Sequence, residues 1–202
     1  MRVLKDEKYN AILNAARNEF IDSGFKDASM RKIAQEANVG LSNIYNYFKS
    51  KDELFLAVVK PAKDDLYSFI RQQHTEEHID VNRMSTFRYQ DEVVEAYISL
   101  IDKYRKEIYL LLFQTNGSQP KEFKDSFTDY LTQVSIDHMR IMKKHYPQAK
   151  EMSDFMIHTL SSWMVTILGE IVSHDLSKHK IREFFKEYFK FEIAGWREIV
   201  EL

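Results

Sequence analysis

Nine residues from Asn43 to Lys51, NIYNYFKSK, bring together three aromatic rings, two asparagines and two lysines in a chain that is slightly acidic overall. The chemistry these groups offer is recognition rather than bond making. An asparagine amide can make two hydrogen bonds to an adenine edge, and a serine hydroxyl can serve either kind of partner. Tyrosine hydroxyls and lysine ammoniums can hold phosphate oxygens. Placed on a helix at about 100° per residue, Ser42 and Asn46 point one way with Asn43 beside them. Tyr45 and Tyr47 flank this ridge, and Ile44 and Phe48 point away from it, towards a core. Leu41 falls on the inner side by angle, which leaves its exposure open. Taken alone, the segment reads equally well as a small solvated helix with aromatic packing.

The elements that would position the ridge are legible on either side. Ile12, Leu13, Ala16, Phe20 and Ile21 mark the apolar stripe of a helix over residues 6–23, with Gly24 as its stop. Ser29 is an N-cap for MRKIAQEA, a short helix burying Ile33, Ala34 and Ala37. NVG, Asn38 to Gly40, makes a turn from residues that tolerate a left-handed backbone. A second short helix follows over 41–48. SKDE, from Ser50, is a capping box that opens a longer helix over 50–74, which Pro61 should kink or divide. Helix, tight turn and short helix with Ile33, Ala34, Val39 and Ile44 apolar is the pattern of a helix-turn-helix.

The stretch SMRKIAQEANVGLSNIYNYFKSKDELF, Ser29 to Phe55, resembles the DNA-binding signature of the tetracycline-repressor (TetR) family of bacterial transcription regulators. ILNAARNEFIDSGF resembles the helix that precedes that signature, and together they cover about the first quarter of the chain. Ile33, Ala34, Val39, Tyr45, Phe48, Lys51 and Leu54 carry the match. Asn38 stands where the family usually has glycine, and Gly40 where it usually has a capping serine. Losing that cap to glycine costs only a few tenths of a kcal/mol. The resemblance implies that Leu41, Ser42 and Asn43 meet base edges, which favours an exposed Leu41 able to touch a thymine methyl. It implies that Tyr45, Tyr47 and Lys51 hold the sugar-phosphate backbone. Met30 and Arg31 open the preceding helix, whose amides can meet a phosphate. It also implies an all-α protein with an N-terminal three-helix helix-turn-helix domain, residues 1–50. A larger C-terminal helical domain, 51–202, would then bind a small effector and dimerise.

Composition agrees with the all-helical reading. Five glycines and three prolines in 202 residues leave little material for hairpins, and apolar spacings of three and four recur throughout. There are no cysteines, so thiolate chemistry is excluded and a reducing cytoplasm suits the chain. No uninterrupted apolar run approaches the roughly 20 residues that span a bilayer, so no membrane role is expected. Residues 1–55 hold nine basic and eight acidic groups, while the rest hold 20 and 23. Affinity for DNA must therefore come from placement and pairing of modules more than from a general basic field.

Beyond residue 55 the pattern predicts helices over 90–116, 119–145, 152–175 and 177–200, with a polar loop at 75–88 and a break at NGSQP. Candidate effector-lining residues are Tyr97, Ile101, Tyr104, Leu112, Phe113, Phe127, Tyr130, Val134, Met164 and Ile167. Aromatic and methionine side chains at this spacing are equally good core residues. Their character suggests an apolar or aromatic ligand with a few polar points, and nothing requires a cofactor or a metal. HTEEH, His74 to His78, lacks the order of a zinc-protease motif and reads as surface or loop histidine, as do His174 and His179. No Ser-His-Asp or paired-carboxylate arrangement stands out, so an enzyme is not expected. The last two helices are apolar on more than one face. Leu160, Trp163, Leu168, Ile171, Phe184, Tyr188 and Phe191 are the candidate homodimer interface. A small-molecule-relieved regulator of a palindromic operator competes with a DNA-binding protein whose helical domain answers to a protein partner or to no ligand. A closed, ligand-sized apolar cavity would favour the former, and a filled core the latter.

Overall fold

The computed structural model describes residues 2–114 and 123–202. Every regular element among them is helical: α1 (Arg2–Asp27), α2 (Met30–Glu36), α3 (Leu41–Tyr47), α4 (Lys51–Gln73), a 3-10 turn (Glu76–His78), α5 (Val81–Met84), α6 (Phe87–Phe113), α7 (Phe123–His145), α8 (Asp154–Ser173) and α9 (Lys178–Val200). The NGSQP break, and the helix ends expected at Asn116 and Gln119, lie outside the described residues. The chain divides into two compact units: Met1–Asp64 with Lys106–Lys124, and Asp65–Arg105 with Asp125–Leu202. The division expected at residue 50 therefore falls inside the first unit, because the start of α4 and the end of α6 pack with the helix-turn-helix.

In the first unit, Ile12, Phe20, Ile33, Ile44, Leu54 and Phe55 are fully buried. Phe55 packs edge-on against Phe20 and Phe25, with ring centroids 5.1 Å apart in both pairs. Gly24 bends α1 with φ 72° and ψ 172°, a backbone region that is essentially glycine's alone. Glu19 is buried and accepts the Ser29 amide at 2.9 Å, which fixes the turn into α2. Near the end of α6, the buried Glu107 is paired with the Arg17 guanidinium of α1, and its second carboxylate oxygen has no hydrogen-bond partner. The capping box at α4 is present: Ser50 Oγ accepts the Glu53 amide at 3.1 Å, and Glu53 accepts the Lys49 amide at 2.6 Å.

The second unit is built from the rest of α4, the segment from the 3-10 turn through α5, the first part of α6, and α7 to α9. Arg105 donates to the carbonyls of Ile171 and Leu176 at 2.9 and 2.7 Å, anchoring the end of α8. Arg182 of α9 grips Glu95 of α6 through two bonds of 2.6 and 2.8 Å.

Three sequence expectations are corrected here. Pro61 neither breaks nor divides α4, which runs on as one helix. Val58, Val59, Ala62 and Leu66 are buried on both sides of Pro61, and their packing outweighs the one backbone bond the proline removes. The departure from helical geometry lies instead in α6, at Tyr104, with φ −131° and ψ 19°. The polar stretch 75–88 is not structureless, since Asp80 caps α5 by accepting the amides of Asn82 and Arg83. Finally, α8 is long and apolar enough to cross a membrane by length and composition. Its Ile157, Ser161, Val165, Leu168 and Ile171 are nevertheless buried within the second unit.

Candidate nucleic-acid interface and ligand cavity

The turn between α2 and α3 uses its residues differently from a simple glycine turn. Asn38 takes the left-handed conformation at φ 51°. Gly40 does not: it is the extended N-cap of α3, with φ −69° and no side-chain cap. Ile44 and Phe48 are buried, so Ser42 and Asn46 project outward and Tyr45 is 48% exposed. Leu41, Asn43 and Tyr47 are half-buried, and the Tyr47 ring sits 5.9 Å from that of Tyr9. Arg31 is exposed at the start of α2 and Met30 is half-buried. The Lys51 ammonium donates to the carbonyls of Lys26 and Ala28 at 3.0 and 3.2 Å and lies over the Phe25 ring. Two of its three hydrogens thus already serve the end of α1, and one is left for a phosphate. Ser42, Asn43 and Asn46, with the Tyr45 hydroxyl, form one polar strip of donors and acceptors carried on a rigid three-helix support.

The second unit contains a cavity of about 300 Å³ that is partly open to solvent. Its walls follow helical phase. From α7 come Phe127, Leu131, Ser135, His138 and Met142; from α8 Ile157, Leu160, Ser161, Met164 and Leu168; from α9 Phe185, Tyr188, Glu192 and Trp196. Of the candidate effector residues, Tyr97, Phe127 and Met164 line it. Tyr130, Val134 and Ile167 do not, because each sits about 100° from its helix's inward stripe. Ile101 is buried one turn beyond Tyr97 and is not in the cavity wall, and Tyr104 marks the α6 irregularity. Leu112 and Phe113 belong to the first unit. Sequence reasoning missed the contribution of α4 (Leu66, Phe69, Ile70 and Gln73), and of His74 and the polar stretch after it.

It also misplaced two histidines. His74 and His78 line the cavity with His138, and are not surface groups. No helical phase in the sequence marked them, because both lie beyond the end of α4, His74 in the turn and His78 in the 3-10 segment. His74 Nδ1 donates to the Ile70 carbonyl at 2.8 Å, leaving Nε2 to accept from Ser135 at 3.3 Å. Burial pushes the His74 imidazole down to about 4. Burial also lowers His138, whose Nδ1 has no partner, and His78, which pairs with the Tyr89 hydroxyl at 2.7 Å. All three rings are neutral near pH 7. Glu192 is raised by burial against the opposing effect of the Tyr188 hydroxyl, which donates to it at 2.9 Å. Among the described residues no cluster of His, Asp or Glu suits a metal ion.

The candidate dimer residues separate into two groups. Leu168, Ile171 and Tyr188 are buried inside the second unit, and Leu160, Leu168 and Tyr188 face the cavity. One face of α8 and α9 is needed to enclose that space, so these residues do not present a surface. Trp163 and Phe191 are 39% and 65% exposed, with their rings 5.7 Å apart, and Phe184 is half-buried.

Residues 12–58 match the model of bacterial regulatory proteins, tetR family. The HTH-type transcriptional activator FasR of Mycolicibacterium smegmatis is 32% identical over 115 residues, 57% of this chain and 49% of that protein. The chain spans about half the length of such curated relatives. A TetR-like transcriptional regulator from Rhodococcus sp. RHA1 shares the fold with TM-score 0.60 at 16% identity, over 93% of this chain and 96% of its own. The fatty acid degradation regulator FadR from Bacillus halodurans does so with TM-score 0.62 at 16% identity, over 93% and 98%. The outward polar strip of α3, the buried Ile33, Ile44 and Phe48 behind it, and the matched family model agree: residues 12–58 form a helix-turn-helix region of the kind found in the tetR family of bacterial regulatory proteins.

Proposed function

We propose that the protein is a cytoplasmic, homodimeric, non-enzymatic transcription regulator that binds a palindromic double-stranded DNA operator and is released from it by a small apolar or aromatic effector. The observation that supports the effector half of this reading is the apolar cavity of the second unit. A helical domain answering only to a protein, or to nothing, would have a filled core, whereas about 300 Å³ of apolar space costs packing energy unless a ligand uses it. Ser42 and Asn43 are the base readers in this reading, with Leu41 beside them, and Tyr45, Tyr47, Lys51, Met30 and Arg31 are the backbone contacts. Pairing through the outward faces of α8 and α9, around Trp163, Phe184 and Phe191, covers exposed aromatic surface and spaces two α3 helices for successive major grooves. Control is a population shift: effector and operator favour different dimer geometries, with a coupling of about 1–3 kcal/mol. α4 and α6 each supply residues to both units, which makes them the covalent routes for that coupling. Occupation of an operator by such a dimer blocks polymerase, so repression is the sign of control inferred.

Binding-site selection from random DNA tests the reading. The wild-type chain should enrich an inverted repeat, and Asn43→Ala should lose about 1–3 kcal/mol and relax one base position in each half-site. Enrichment of no repeat, or an unchanged preference for Asn43→Ala, would remove α3 as the reader. A promoter fusion decides the sign, since FasR is named an activator.

A further inference from the structure

Among the described residues Glu192 is the one acidic side chain that lines the cavity, and no lysine or arginine contributes to the wall. The three lining histidines are held neutral by burial. The carboxylate accepts one hydrogen bond, from Tyr188, and no cation among the described residues lies close enough to lower its proton affinity. Glu192 is half-buried in a mostly apolar wall, where a carboxylate without a counter-charge is costly, and a leucine or methionine would pack there without that cost. Its neighbours are informative. Tyr188, Glu192 and Trp196 follow one another at four-residue spacing on one face of α9, and all three line the cavity, with Phe189 and Tyr89 also in its wall. An acid flanked one turn above and below by aromatic side chains has the composition of a cation site: a carboxylate can supply charge and aromatic rings can supply polarisable surface.

We infer that the cavity selects a lipophilic monocation, an ammonium group carried on an apolar or aromatic body, with Glu192 as its counter-ion and the Tyr188 and Trp196 rings beside it. This rests on the effector reading above and adds the ligand's charge. The ligand's apolar body lies among Phe127, Leu131, Ile157 and Met164. A carboxylate ligand does not fit, because it would meet Glu192 and find no basic residue to receive it, whatever the fatty acid regulators of similar fold bind. The inward Glu192 thus acts as a selectivity filter as much as an anchor.

Three probes on one scaffold separate charge from hydrophobicity: 4-phenylbutyltrimethylammonium, 4-phenylbutan-1-ol and 4-phenylbutanoate. Titration calorimetry on the full chain should find the ammonium bound at least about tenfold tighter than the alcohol, and the carboxylate weakest. Glu192→Gln should bring the ammonium down to the alcohol's level and leave the alcohol within about twofold. Tyr188→Phe keeps a ring in place and removes the internal hydrogen bond, so the ammonium preference should persist; a variant that merely damages the fold would weaken all three probes together. Equal or tighter binding of the alcohol or the carboxylate, or an ammonium preference that survives Glu192→Gln, overturns the assignment of charge. The effector reading survives that result if Ser161→Trp, which fills the cavity, abolishes the binding seen. If none of the three binds, the assignment falls, and the effector reading falls with it when a broad thermal-shift screen also finds no ligand.

Discussion

Arg17→Ala should loosen the attachment of α1 to the end of α6 in the first unit. Glu107 is 5% exposed, Arg17 is its sole salt-bridge partner among the described residues, and one of its carboxylate oxygens already lacks a hydrogen-bond donor. Removing the guanidinium strands the charge. Breaking a buried pair from one side typically costs about 3–5 kcal/mol. The Arg17 side chain is 42% exposed, so water screens the pair and can reach the cavity the substitution opens. The expected loss is therefore about 2–3 kcal/mol. A two-unit chain need not unfold in one step, so the assay should be local. Hydrogen exchange of the α1 amides, followed by mass spectrometry, should accelerate about 30- to 150-fold, since about 1.4 kcal/mol is a factor of ten. Glu107→Gln removes the charge and keeps the shape, so it should cost less than Arg17→Ala. The double variant should cost less than the sum of the two, because the stranded charge is gone. If Arg17→Ala stays within about 0.5 kcal/mol of the parent, or the two changes add, the pair is a surface contact in energetic terms and the argument from burial fails.

Two further outcomes follow from the second unit. The His74 imidazole falls from 6.5 to about 4 on folding, so its contribution to stability is present above pH 6.5 and is lost as pH falls towards 4, by up to about 3 kcal/mol. His78 and His138 shift the same way, while the raised Glu192 acts oppositely, favouring the fold at low pH. Melting curves at pH 7 and pH 5 should show the loss, with His74→Phe less sensitive; equal sensitivity in both proteins would remove His74 as its source. Phe191→Glu should give a folded monomer by sedimentation, because the side chain is 65% exposed and beside Trp163. A stable wild-type monomer at micromolar concentration would end the dimer reading and the palindromic operator with it.

The helix-turn-helix was legible in the sequence because its information is local. Ser29 and the Ser50–Glu53 box mark helix starts, Gly24 marks a bend, and Ile44 and Phe48 fix by angle which side of α3 faces outward. Caps, turns and phase act over a few residues, and a short segment either has them or lacks them. The cavity depends on how five long helices rotate against one another, and composition does not set that rotation. In sequence Tyr130 and Val134 are as suitable as Phe127, since apolar side chains at helical spacing do not say which neighbour they meet. His74 and His78 read as surface or loop groups in sequence; they do lie beyond the end of α4, and packing turns them towards the cavity. Leu168 and Tyr188 appeared to be surface until α8 and α9 closed over them, leaving Trp163 and Phe191 outside. The sequence alone specified the long helices and the outward polar ridge of α3; tertiary structure decided which apolar faces make core, cavity or exposed surface, because burial belongs to the assembled helices rather than to any one of them.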